Sequence, residues 1–303
     1  MNYLRLIGFH DLLMVAVAQI LIKYFLFAPF QIDITLNGFG IFLLIFATLC
    51  IVAAGKIILA INNVEADKIN HPDQMIIGKS ISEKNAYTLF LVLNVLGVAI
   101  GFYLSNLIGH PGFSALAIII SGLLYIYATY LKKQMIAGNV VIGILSAMVI
   151  IVMGLYDLLP AIVPENQATQ HTIFSILLDY ALLALLLNWL REMVKDQANV
   201  DGDHKAENNT VSVSLGKKRT GKIMCALGLL PLAAVIYYMY HYLFGNQAIV
   251  LYALILIVGP LLYFQVKILN AETEKDFSQL YWVLTFTMWF ALLSIGLYQF
   301  ILL

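Results

Sequence analysis

Charge is scarce in this sequence. Of 303 residues, 11% are Asp, Glu, Lys or Arg and 62% are hydrophobic. A soluble globular chain carries about 25% charged residues, so a water-facing surface over most of the molecule is excluded. Cysteine is nearly absent: Cys50 and Cys225 stand alone in separate apolar runs, which leaves no disulfide framework and no cysteine metal site. The sequence also lacks a glycine-rich phosphate loop, an HExxH pair and a GxSxG elbow. The net charge is zero and says nothing about nucleic acid. No nucleic-acid partner is expected, and the placement of the charges matters more than their balance.

What is present is a series of long apolar runs. A membrane-crossing helix needs about 20 largely apolar residues. Nine segments qualify: Ile7–Leu26, Leu36–Ile61, Ala86–Leu107, Phe113–Leu131, Val140–Leu159, Ile173–Leu190, Ile223–Tyr242, Ala248–Tyr263 and Tyr281–Leu302. The fifth and eighth are short or glycine-interrupted. The expectation is an all-α integral membrane protein, with nine transmembrane helices in a single polytopic domain over residues 1–303 and no room for a soluble domain. Ala16-Val17-Ala18 imitates a signal-peptidase site. The apolar run before it is short, broken by His10 and Asp11, and continues beyond it, so it reads as an uncleaved span.

Lys and Arg collect on the cytoplasmic side of membrane proteins. With the N-terminus inside, Arg5, Lys68, Lys79, Lys84, Lys132, Lys133, Arg191 to Lys222, Lys267 and Lys275 all fall on inner segments. The outer loops hold Asp33, His110, Asp157, Glu165, His171 and His241, with no Lys or Arg. Lys23 and Lys56 fall within spans, and Lys23 sits near an outer end from which it can snorkel. The expected location is a bacterial or archaeal cytoplasmic membrane, N-terminus cytoplasmic.

Two polar loops follow the second and sixth spans. An even number of crossings separates them, so they face one compartment. On a continued helix Lys56, Leu59, Ala60, Asn63 and Asp67 share one face, and so do Glu192, Asp196, Asn199 and Asp203. Gly202 is a candidate break before the last of these. Oxygen ligands presented in this way suit Mg²⁺, which takes one or two carboxylates plus phosphate and water. The same charges also read as ordinary solvated residues at a membrane surface. His10 and Asp11 near the cytoplasmic end of the first span, and Asp179 within the sixth, are ionisable groups at membrane depth and functional candidates by default; for Asp179 a structural hydrogen bond is as good a reading as substrate contact. Asn94, Gly97 and Gly101 suit helix packing, where small residues let backbones approach.

The segment Ala53–Pro72, ending Asp67-Lys68-Ile69-Asn70-His71-Pro72, resembles the first signature of the UbiA superfamily of intramembrane prenyltransferases, in its geranylgeranylglycerol-phosphate geranylgeranyltransferase-like branch. Arg191–Asp203 is similar to the second signature. Gly78-Lys79-Ser80-Ile81-Ser82 stands where that branch has a glycine/serine turn, and the nine-span layout extends the resemblance over essentially the whole chain. It implies a UbiA-type bundle and transfer of a prenyl group from a prenyl diphosphate to a hydrophobic, lipid-soluble acceptor. Mg²⁺ ions would bridge Asp67, Asp196, Asp203, Asn63 and Asn199 to the diphosphate. By position, Lys132, Lys133 and Asn139 are diphosphate contacts, with Lys195 and Arg191 as further candidates; the positive-inside rule accounts for the same cations equally well.

Within that resemblance the acidic motifs are thinned. The usual Asn-Asp-x-x-Asp is here Leu59, Ala60 and Asn63, and acidic positions of the second motif are Ala198 and Asn199. Lys56 lies on the depleted face. It is a candidate to pair with Asp67 or Asp196 and fill the place of a cation, or it snorkels to the interface. Two functions therefore stand: a membrane prenyltransferase with weakened Mg²⁺–diphosphate binding, or a non-catalytic protein of this fold that binds lipid or serves a membrane assembly. Acceptor identity, prenyl length and protein partners stay open.

Overall fold

The computed structural model describes residues 2–298. Among them nine helices are long and apolar enough to cross a membrane: α1 Phe9–Phe30, α2 Gly38–Asn62, α3 Glu83–Leu107, α4 Pro111–Thr129, α5 Ala137–Ala161, α6 Gln167–Ala198, α7 Lys217–Leu243, α8 Gln247–Ile268 and α9 Glu274–Leu297. Every expected span is there, and what moves is the ends. The apolar run of α6 finishes at Leu190, yet the helix continues two turns to Ala198. Nothing in Arg191–Ala198 breaks a helix, and Arg191, Glu192, Asp196 and Gln197 are buried inside the bundle rather than solvated. α9 starts seven residues early because Thr273 and Asp276 form a capping box. The last residues of the expected ninth span, 299–302, lie outside the described residues.

Polar caps start other spans. Asn37 Oδ1 accepts from Gly40 N at 2.8 Å ahead of α2, and Ser82 Oγ accepts from Asn85 N at 3.3 Å ahead of α3. α1 and α5 close in short 3₁₀ turns containing Pro29 and Pro160, residues that cannot continue the hydrogen-bond ladder.

The helices are arranged around a central space. α2, α3 and α4 pack on one another, and α5 lies along α6. α6 packs on α7 and α9, α8 packs on α7 and α9, and α1 closes the ring by touching α2, α5 and α9. At Gly97 a Cβ would stand 2.7 Å from Ile51 Cγ1 and 3.0 Å from Ala47 O, so the α2–α3 approach depends on the missing side chain. Asn94 Nδ2 donates to Ser121 Oγ at 2.6 Å across α3 and α4.

Lys23 corrects one expectation, because it does not snorkel. It lies in a π-helical stretch of α1, Ile22–Phe27, opposite a second π-helical stretch in α5, Gly154–Leu158, that carries Asp157. Lys23 Nζ donates to Asp157 Oδ2 at 2.7 Å and to Leu36 O at 2.8 Å, and Asp157 Oδ1 accepts from Leu36 N at 2.8 Å. Both side chains are buried, at 5% and 0% exposure. The pair is satisfied on both partners, as a charge pair out of water requires.

Candidate functional site

The ring of helices encloses a half-open chamber of about 200 Å³. Most of its wall is aliphatic, from Leu44, Ile51, Leu116, Ile120, Leu145 and Met148 among others, with Tyr127, Tyr156 and Tyr180 set into it. One end is polar and is lined by Asp11, Lys56, Asn188, Arg191 and Glu192.

That polar end is assembled by a bend. Gly8 adopts φ 67° between the short helix Asn2–Leu6 and α1, a conformation that side-chain-bearing residues avoid. The Lys56 stem packs over it, with Lys56 Cδ 3.4 Å from where a Cβ would stand. Asp11, one turn into α1, then pairs with Lys56 Nζ. Arg191 Nη1 lies 3.3 Å from Asp11 Oδ1, and its guanidinium sits 5.5 Å above the Tyr281 ring. Lys195 pairs with Glu192 at 3.4 Å. Lys56 therefore fills neither of the expected places: its partner is Asp11, not Asp67 or Asp196, and it does not snorkel. Asp11 lies outside both motifs, and its signal is a carboxylate inside an apolar run.

Of the two acidic motifs Glu192 lines the chamber, while Asn63, Asp67, Asp196, Asn199 and Asp203 do not. Asp67 lines a separate cleft of about 190 Å³ with Arg5, Ala60, Val64 and His71. Asn63 Nδ2 donates to Asp67 Oδ1 at 2.6 Å, and Asn63 Oδ1 accepts from Lys132 Nζ. Asp196 is buried and takes Asn139 Nδ2 at 3.0 Å, while Asp203, also buried, takes Asn208 Nδ2 at 2.9 Å. Lys132 is half-buried. Burial, then the nearby Lys195 charge, pull its ammonium below the ordinary lysine value, against the opposite pull of Asp203, Asp196 and Glu192. So among the expected diphosphate contacts Lys132, Asn139, Lys195 and Arg191 all turn inward. Lys133 is exposed, and its carbonyl accepts from Asn209 N at 3.0 Å.

Asn199 does something different again. It breaks the helix at the end of α6, where the short helix Val200–Lys205 begins, so the break comes at Asn199 rather than at Gly202. Its Oδ1 lies 3.1 Å from His71 Nε2, and its carbonyl accepts from Asn70 Nδ2 at 3.1 Å. Asn70 Oδ1 in turn accepts from Gly202 N at 2.8 Å. A Cβ at Gly202 would stand 2.5 Å from Ala66 O, so only glycine lets the helix Val64–Asn70 lie this close to Val200–Lys205.

This donor set fits a divalent ion poorly as it is arranged. Leu59 and Ala60 offer no ligand atom. Asn63, Asp196, Asp203 and Asn199 each spend an oxygen on a protein donor. Among the described residues no three His, Cys, Asp or Glu side chains gather in an ion-holding group. Lys132 reaches in from the loop after α4 and donates to Asn63.

Nine helices long and apolar enough to cross a membrane among the described residues, around an apolar chamber with a polar mouth, define an integral, multi-pass membrane protein of the prenyltransferase fold. A digeranylgeranylglyceryl phosphate synthase of Methanoculleus marisnigri is 31% identical over 180 residues, 59% of this chain and 58% of that relative. One from Methanocaldococcus jannaschii is 26% identical over 279 residues, 91% of this chain and 87% of the relative. Among solved structures, a digeranylgeranylglyceryl phosphate synthase overlays with TM-score 0.64 at 23% identity, over 98% of this chain and 97% of that one. A UbiA homolog from Archaeoglobus fulgidus bound to GPP and Mg²⁺ overlays with TM-score 0.57 at 15% identity, over 98% and 99%. The chain belongs to the UbiA prenyltransferase family, whose pattern it matches over residues 16–295.

Proposed function

We propose that the protein transfers a prenyl group from a prenyl diphosphate to a lipid-soluble acceptor inside the membrane. The observation that carries this reading is the chamber: a long apolar space closed by α1 to α6 and α9, ending at Lys56, Arg191, Glu192 and Asp11. An isoprenoid tail belongs among the aliphatic side chains, where burial of its surface contributes about 25 cal/mol per Å². Its charged head belongs at the cationic end. Departure of an anionic leaving group is favoured by fixed positive charges aimed at it, and Arg191 and Lys56 are placed for that role.

Mg²⁺ accompanies prenyl diphosphate in the Archaeoglobus fulgidus homolog structures. Here Asp67, Asp196 and Asp203 remain as carboxylates, but their arrangement supports weaker ion binding. Purified protein in lipid vesicles, given radiolabelled geranylgeranyl diphosphate and a prenyl glyceryl phosphate acceptor with Mg²⁺, should form labelled lipid product. It should do so more slowly than a relative with both motifs intact. No product with any tested acceptor, together with tight lipid binding, would instead favour a non-catalytic lipid-binding protein.

We infer further that the N-terminus and the loops after α2, α4, α6 and α8 are cytoplasmic. The one-sided placement of Lys and Arg supports this. Single cysteines at Lys79 and Glu165 should label from opposite sides of sealed vesicles, and labelling from the same side would overturn the orientation.

A further inference from the structure

Four cations crowd the start of α7, in Lys217-Lys218-Arg219-Thr220-Gly221-Lys222, and all four are exposed. A helix N-terminus carries the positive end of the macrodipole and favours acidic side chains. α9 follows that rule with Glu274 and Asp276 in its first turn, whereas α7 has no acid there. The cations of α7 therefore oppose the helix that carries them. Lys217 turns toward α9, its ammonium 5.6 Å from the centre of the Phe277 ring. Among the described residues Lys218, Arg219 and Lys222 make no ion pair. Nearby acids do not cancel them. The start of α7 meets the end of α8, where a Cβ on Gly221 would stand 3.1 Å from Ile268 O, and α8 leads through a short turn into α9. Residues 217–222 and 267–276 hold six Lys or Arg against three Asp or Glu, and Asp276 is already taken by Lys267 at 2.6 Å. Three positive charges remain without a counter-charge, as many as Lys218, Arg219 and Lys222 supply.

The direction in which these three point decides what they meet. At ~100° per residue they fall within about 100° of one another around α7. Leu229, Leu230, Ile236 and Tyr237 continue the same face along the helix, and all are exposed. None of these residues lines the chamber. An exposed apolar face on a membrane-crossing helix looks onto lipid chains, and cations at its end reach headgroup level with their stems along those chains. We propose that Lys218, Arg219 and Lys222 form a docking surface for the phosphate headgroups of anionic lipids in the adjoining leaflet. The lysines act as point charges, and the arginine fork offers paired donors to phosphate oxygens. Basic clusters beside a membrane helix attract anionic lipid in this way. The general bias of Lys and Arg toward one side of a membrane requires only that they lie on the inner segments. It does not account for three of them on one lipid-facing arc, set against the helix dipole. The surface lies outside the chamber, and the proposal does not depend on what the chamber binds or transfers.

The test uses the whole protein in phosphatidylcholine vesicles containing a trace of spin-labelled phosphatidylglycerol or, in parallel, spin-labelled phosphatidylcholine. Electron spin resonance gives the protein-bound fraction of each label and so their relative association constant. Phosphatidylglycerol should be preferred. Lys218→Gln, Arg219→Gln and Lys222→Gln together should lower that preference by about fivefold or more, the size of one cation near an anionic surface. Lys68→Gln, Lys79→Gln and Lys205→Gln together change the net charge equally, at exposed positions on the same end of the bundle, and should leave most of the preference in place. An equal fall in this second variant overturns the proposal, because net charge alone would then explain the preference. Two measurements on the unaltered protein stand whether or not the variants fold. Raising the salt to ~1 M shortens the Debye length to about 3 Å and should remove most of the preference; a preference that persists overturns the surface. Inorganic phosphate at constant ionic strength should not displace the labelled lipid, and displacement would mark a site for a soluble anion instead. A wild-type protein that shows no preference for phosphatidylglycerol also overturns it.

Discussion

Asp157→Ala should destabilise the protein by about 3–5 kcal/mol, the typical cost of breaking a buried ion pair from one side. The substitution leaves Lys23 buried with only the Leu36 carbonyl and strips the Leu36 amide of its acceptor. Three segments lose their common anchor at once: the π-helical end of α1, the loop before α2 and the π-helical end of α5. Thermal unfolding in detergent should show the loss directly. The double variant Lys23→Met with Asp157→Leu should recover most of it, because replacing both charges by apolar groups of similar volume removes the desolvation cost along with the attraction. If Asp157→Ala unfolds at the wild-type temperature, the pair is not the anchor that its burial implies.

The second large effect is a gain. Restoring Leu59→Asn, Ala60→Asp, Asn63→Asp and Asn199→Asp together should tighten binding of Mg²⁺ with a prenyl diphosphate by at least about 100-fold. A single missing partner of a metal site typically costs about 10–100-fold, and four positions change at once. The local reasons differ by residue. Leu59 and Ala60 contribute no donor. Asn63 holds its oxygen on Lys132 and its amide on Asp67. Asn199 is committed to His71. Neutral amide oxygens do not offset the charge of an ion, so each carboxylate adds attraction that the present side chains lack. Calorimetric titration with Mg²⁺ and geranylgeranyl diphosphate compares the two proteins. Equal affinity would mean that the unaltered chain already holds the ion well, through ligands the present arrangement does not bring together.

The membrane class, the number of spans and the family were legible in the sequence because each rests on many residues. Hydropathy sums over about 20 positions, and two signatures at the right separation reinforce one another. The ends of the spans were less legible. Where α6 stops is decided by Arg191, Glu192 and Asp196 being buried against other helices, a tertiary effect that no local property of Leu190–Ala198 encodes. The partners of the lysines were the least legible part. Lys23 and Lys56 both looked like snorkelling side chains, since a long stem near a span end ordinarily reaches water. Lys23 instead meets Asp157, 134 residues away, and Lys56 meets Asp11, 45 residues away. Pairings at such separations are properties of helix packing. Sequence spacing put Glu192, Asp196, Asn199 and Asp203 on one face, but the break at Asn199 and the turn into Val200–Lys205 divide them. Glu192 lines the chamber and Asp196 and Asp203 do not, although all three carboxylates act on the Lys132 ammonium.

The contact between Val64–Asn70 and Val200–Lys205 has a thermodynamic consequence. Two segments joined through Asn70, Asn199, His71 and the Gly202 amide are held by short-range dipoles. Two carboxylate-bearing faces in the same position would repel until a cation arrived, and their approach would then be linked to the ion's concentration. Joined by neutral amides, these two segments need no divalent ion to stay together. The ordering entropy of these loops is already spent in the free protein, so the junction is assembled before any ligand comes. Amide hydrogens at Asn199 and Gly202 should therefore exchange at the same slow rate with or without Mg²⁺.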